Sequence, residues 1–182
     1  METTRILLAF FWLAAMGSSR VPERDLLAPS SSRTAGRDLL VIASAEIGTL
    51  EATGNNDGKR VEEYLAAVGL PKGHPYCAAF VSWVFKEAGY NQPKTGWSPA
   101  LFPASRSVKT PVPGNVFGIY FPAFKRIAHC GFVSSVKDNW IGTIEANTNV
   151  SGSRDGEGVH RRMRHARTIY RYADWTRKGV LK

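Results

Sequence analysis

After Pro113-Gly114 the hydrophobic pattern of this chain changes period, and that switch limits the fold more than any other feature. Upstream, apolar residues recur at helical spacing. Leu39, Leu40, Ile42, Ala43 and Ile47 suit a helix over 38–47, with Gly48 as its stop. Val61, Tyr64, Leu65 and Val68 fall at i, i+3, i+4 and i+7, with Asn56 or Asp57 placed to cap the start and Gly69 to close the end. The third stripe is the longest: Cys77, Phe80, Val81, Val84, Phe85 and Ala88, ended by Gly89, with Pro75 suited to the first turn. Downstream, short β-type runs follow at about 115–121, 128–136, 140–148, 159–164 and 168–172, separated by Asp, Asn and Gly. Helices first and an antiparallel sheet second predict an α+β fold. That order excludes a doubly wound nucleotide fold, and no Gly-rich phosphate loop follows any of the runs.

The length of 182 residues fits one domain plus a targeting segment, and 43% hydrophobic with 21% charged residues suits a packed core. Arg5, the apolar run Ile6–Met16 and the small residues Gly17, Ser18 and Ser19 read as a signal peptide over 1–19. The run falls short of the roughly 20 residues that a membrane span needs, so no span is expected after its removal. Residues 20–36, with Pro22, Pro29, Ser30–Ser32 and Gly36, read as a linker, and 37–182 as the folded domain. Export to the periplasm or the extracellular space is the resulting expectation. The net charge of +9 survives signal removal, because residues 1–19 hold one Arg and one Glu. Such a charge favours polyanions, and an exported protein meets cell-wall polymers and anionic lipid rather than nucleic acid. Arg161, Arg162, Arg164, Arg167 and Arg171 cluster late, as a solvated sheet face would.

Cys77 stands at the start of the third helix, where free backbone N–H groups and the positive end of the helix dipole stabilise a thiolate and can hold an oxyanion. Alternation along 128–136 puts His129, Gly131 and Val133 on one face and Cys130, Phe132 and Ser134 on the other, so Cys130 is expected to point away from His129. A three-residue loop, Lys137-Asp138-Asn139, would pair residues whose numbers sum to 276, setting His129 opposite Asn147 with Glu145 diagonal on the same face. A cysteine nucleophile, a histidine base and a carboxylate or amide to orient the ring are the parts that amide hydrolysis requires. With export and two cysteines a Cys77–Cys130 disulfide is the default, but their different surroundings argue against it.

Gly54-Asn55-Asn56-Asp57-Gly58 and Tyr76-Cys77-Ala78-Ala79-Phe80-Val81-Ser82-Trp83 resemble the N-terminal half of CHAP domains, and His129-Cys130-Gly131-Phe132-Val133 with Thr143-Ile144-Glu145-Ala146-Asn147-Thr148 resemble the family's His strand and Glu-x-Asn strand. Tyr76, where Trp is common, and Asn115, where Asp often follows Pro-Gly, depart from the pattern. The resemblance implies a papain-like, NlpC/P60-related fold, peptidoglycan as substrate, catalysis by Cys77, His129, Glu145 and Asn147 through a thioester, and Glu145 ahead of Asn147 as the partner of His129. Gly131 then agrees with a strand face crowded by the active-site helix.

Asn55, Asn56, Tyr76 and Trp97 are the weaker, substrate-binding candidates; Asn55 and Asn56 also read as helix caps, and Trp97 as core ahead of a substrate platform. His74, His160 and His165 lack a Cys or carboxylate at ligand spacing, and Asp57 alone supplies too few oxygens for calcium, so no metal or other cofactor is expected. A monomer is expected. Two other readings stay open: a catalytically silent peptidoglycan-binding module, and a cysteine amidase acting on a non-wall peptide.

Overall fold

The computed structural model describes residues 30–149 and 156–177. The expected signal segment and residues 20–29 of the expected linker lie outside the described residues. Three helices come first: α1 (Ser30–Ala45), α2 (Lys59–Ala66) and α3 (Cys77–Glu87). Six strands follow: β1 (Ser107–Val108), β2 (Val116–Phe121), β3 (Arg126–Lys137), β4 (Trp140–Thr148), β5 (Gly158–His165) and β6 (Arg171–Ala173). They form one sheet in the order β1-β6-β2-β3-β4-β5, with every neighbouring pair antiparallel. The fold is α+β, with helices packed on an antiparallel sheet.

Helix α3 is buried from Cys77 through Phe85, as its all-round apolar sequence requires. Its aromatics tie the layers together: Phe80 meets Phe132 of β3 edge-on at 6.2 Å, while Tyr64 of α2 meets Phe80 at 5.3 Å and Trp83 at 5.1 Å. Gly89 ends α3 in the left-handed conformation, at φ 83°. Pro75 stands two residues ahead of the helix rather than in its first turn, because Tyr76 takes the N-cap position. Helix α2 buries Val61, Tyr64 and Leu65. Neither Asn56 nor Asp57 caps it. Gly58 holds that position without a side-chain bond, and the Asp57 carboxylate instead accepts from the Thr53 N–H and hydroxyl at 2.9 and 2.8 Å.

The expected linker needs correcting at its end, since α1 begins at Ser30 and takes in Gly36. Gly36 is buried where the helix crosses the turn before β2, and a Cβ there would lie 2.9 Å from the Pro113 carbonyl oxygen. Its missing side chain serves close packing, not a loose connection.

The hairpin of β3 and β4 reaches the expected register by a different route. The turn is two residues, Asp138-Asn139, and Lys137↔Trp140, Val136↔Ile141 and Ser135↔Gly142 sum to 277. Ser134 then bulges out, and Val133↔Thr143, Phe132↔Ile144 and Gly131↔Glu145 sum to 276. Near the turn the three-residue loop is thus overturned; beyond the bulge the pairing is the expected one. The last run is shortened to Arg171–Ala173 because a 3₁₀ turn occupies 166–168, held by the Arg167 N–H on His165 Nδ1 at 3.2 Å.

The candidate active site

Both faces of the sheet contribute to the surroundings of Cys77. On the helix-facing side, Cys130 and Phe132 join the main core; on the other, Phe117 and Val133 form a smaller cluster, and the Phe117 ring meets that of His129 at 6.4 Å. Beside His129 an extra residue, Ala128, bulges β3 between the pairs Ile119↔His129 and Tyr120↔Ile127, a distortion that bends a strand and redirects its side chains.

His129 is buried, and its Nε2 lies 2.7 Å from Glu145 Oε2. Glu145 comes from the residue directly opposite Gly131, which shows why position 131 carries no side chain. A Cβ there would meet the Ile144 carbonyl oxygen at 2.5 Å, Phe117 at 3.0 Å and Glu145 Cγ at 3.2 Å. Crowding at Gly131 therefore comes from the β4 backbone, Phe117 and Glu145, not from the helix. Glu145 is also gripped by Arg164 of β5, whose Nε and Nη2 donate to Oε1 and Oε2 at 2.6 and 2.5 Å, while the Thr143 hydroxyl donates to Oε1 at 2.5 Å. Burial would raise this carboxylate, but Arg164 and His129 outweigh it and hold Glu145 down at about 2.

With Nε2 engaged, His129 Nδ1 is left buried without a hydrogen-bond partner. Burial works against the imidazolium, yet the interactions with Cys77 and Glu145 lift His129 to about 9. Cys77, 4% exposed at the first residue of α3, shows the opposite displacement. Its thiol is held well below the usual range by Cys130 first, against the effect of burial, and then by His129 and Ser98. A thiolate and an imidazolium are thus mutually stabilised.

Cys130 does not stand apart from the site, as its strand face suggested. Cys77 Sγ is 3.5 Å and Cys130 Sγ 3.8 Å from the Ser98 hydroxyl, and both cysteines are free thiols. Burial and the neighbouring Cys77 push the Cys130 thiol well up, the opposite direction to Cys77. Ser98 follows Trp97 in the irregular stretch Gly96-Trp97-Ser98-Pro99, where no periodicity marks it. That loop is tied to α3 by Ser82, whose hydroxyl accepts from the Thr95 N–H at 3.0 Å and donates to the Thr95 carbonyl at 2.9 Å. Arg164, from the arginine cluster expected on a solvated sheet face, is instead largely buried. It pairs with Ile141, four rungs from the His160↔Glu145 rung and on the same face, and its long side chain runs along the sheet to the carboxylate.

The remaining candidates divide. Asn147 is buried in the left-handed conformation, at φ 56°, inside the irregularity between Glu145 and Thr148, and its Oδ1 has no hydrogen-bond partner. Its expected rung opposite His129 does not form, because β3–β4 pairing starts at Gly131. Tyr76 is fully buried, stacked on Tyr64 at 6.2 Å, and so belongs to the core rather than to a substrate surface. Asn55 is exposed and donates to the Thr53 hydroxyl at 2.8 Å. Asn56 lines a small groove with Asn147, Glu51 and Glu157. Trp97, expected in the core, is 53% exposed and borders a cleft of about 370 Å³ that reaches Cys77. Among the described residues no group of three His, Cys, Asp or Glu side chains is arranged to hold a metal ion.

Comparison with curated proteins returns no match. A solved structure described as the crystal structure of Ly7917 is similar to the chain with a TM-score of 0.42 and 15% identity, over 76% of this chain and 61% of that one. The family profile described as the CHAP domain matches residues 69–147, a span that contains Cys77, His129, Glu145 and Asn147. Residues 69–147 are thus similar to the CHAP domain, a papain-like cysteine- and histidine-dependent amidohydrolase and peptidase domain.

Proposed function

We propose that this protein is a cysteine-dependent amide hydrolase that cuts peptidoglycan outside the cytoplasm after export. The observation that carries the reading is the polarity of His129, with Nε2 fixed by a buried carboxylate and Nδ1 unpartnered beside a thiol of depressed pKa at a helix start. In the resting site the thiol proton resides on His129. Cys77 Sγ attacks the amide carbonyl carbon, and the oxyanion is held by free N–H groups of the first turn of α3. His129 then protonates the departing amine, the C–N bond breaks and a thioester remains. A water molecule, deprotonated by His129, attacks the thioester; the carboxylic acid leaves and the thiol is restored. Glu145 acts through His129 as a positioning residue, and the CHAP match supports an amide of the cell wall as the bond cut.

The test is mass spectrometry of fragments released from purified peptidoglycan. Native protein should release products carrying one new amine and one new carboxylate, and Cys77→Ser should lower kcat/KM by on the order of 10⁴-fold or more while remaining folded. Wall binding without release by the native protein would overturn the reading in favour of a silent binding module.

A further inference from the structure

The cleft beside Cys77 is lined by Trp97, Ser98, Arg126 and Ala128, with His74 and Leu70 also in its wall. Arg126 is the first residue of β3, and its guanidinium carbon lies 4.1 Å from the centre of the Trp97 ring and 5.7 Å from that of Phe124. One guanidinium N–H group, at Nη1, donates to the Ile127 carbonyl at 3.1 Å. The stacking fixes the plane of the cation, a geometry that suits arginine and not lysine. No Asp or Glu lines this cleft, and among the described residues no ion pair involves Arg126. A preorganised, half-buried cation with donors to spare and no counter-charge is complementary to an anion brought by the ligand. The groove on the Asn147 side has the opposite character, with Glu51 and Glu157 in its wall. An anionic substrate group is therefore favoured in the cleft that Arg126 lines.

We infer that Arg126, held in place by Trp97, is a specificity-determining residue that takes a free carboxylate on the residue flanking the scissile amide. The peptide nature of the ligand rests on the hydrolase reading above; the carboxylate rests on the cleft itself. The discrimination this predicts is between a carboxylate and its carboxamide at that position, isosteres that differ in charge.

Two synthetic stem peptides that differ only in that group separate the outcomes. On the Cys77→Ser background, calorimetry should show the carboxylate peptide binding about tenfold or more tightly than the carboxamide. Adding Arg126→Gln should bring the ratio close to one, while adding Trp97→Ala should weaken binding of the carboxylate peptide selectively. Equal affinities, no binding of either peptide, or a preference that survives Arg126→Gln would overturn the assignment. Turnover by the native protein is read separately. A carboxylate preference without cleavage would sink the hydrolase reading and leave Arg126 standing, whereas cleavage of both peptides with equal affinities would do the reverse.

Discussion

Glu145 serves two cations at once, with Arg164 gripping both of its oxygens and His129 sharing Oε2. Replacing it by Gln removes the anion that favours the imidazolium, so the His129 pKa falls from about 9 and the alkaline limb of kcat/KM should move down by about one pH unit or more. An unmoved limb would show that another group sets His129. The same substitution leaves Arg164, largely buried, without its partner, at a cost of about 3–5 kcal/mol that thermal unfolding would register separately. In the native protein the signs are opposite for the two partners. The raised His129 contributes stability that is full below about pH 6.5 and lost as pH rises through about 9, and the lowered Glu145 contributes stability present above about pH 4.5 and lost as pH falls through about 2. Cys77, His129 and Glu145 were legible because helix and strand periods place them. Arg164 and Ser98 were not, since a long side chain reaching along the sheet and a hydroxyl in an irregular loop leave no periodic trace.

At the level of elements, the Ser134 bulge decides which residue faces Gly131. Carried through without it, the 277 pairing set by the two-residue turn would place Phe132 opposite Glu145 and turn the carboxylate toward the helix layer. Ser134 and Ser135 both crowd the same glycine, with hydroxyl oxygens 3.0 and 2.2 Å from where a Cβ of Gly142 would be. Deleting Ser134 should relax the bulge, keep the Gly131↔Glu145 pair and preserve activity. Inserting Ala between Ser134 and Ser135 should displace Glu145 and lower kcat/KM roughly 100-fold. Equal activity of the two variants would show that the bulge does not control the site. The sequence carried the helices and the later strands because their periods are clean. It yielded the register near the site through two errors that cancel, a turn taken one residue too long and a bulge not seen, because turn length and bulge leave the same sum.

Across the whole molecule, α1 is seated on the start of the sheet by two glycines. A Cβ on Gly114, where φ is 94°, would lie 2.6 Å from Gly36 Cα. Gly114→Ala should therefore cost about 1–3 kcal/mol, seen as a lower urea midpoint, from overpacking and from the left-handed backbone together. An unchanged midpoint would mean that α1 docks without that contact. In the sequence Gly36 reads as linker, because a small residue marks a loose turn and a tight crossing alike. The second helix adds a buried anchor of its own, with Arg60 of α2 paired to Glu46 at 2.6 Å and Tyr64 bonded to the same carboxylate at 2.5 Å. Arg164, for its part, stands on β5, beyond residue 147, where the CHAP match ends. A graft of residues 69–147 into a foreign scaffold would thus carry thiol, imidazole and carboxylate but strip that carboxylate of its guanidinium clamp. The smallest transplantable unit runs on through the fifth strand.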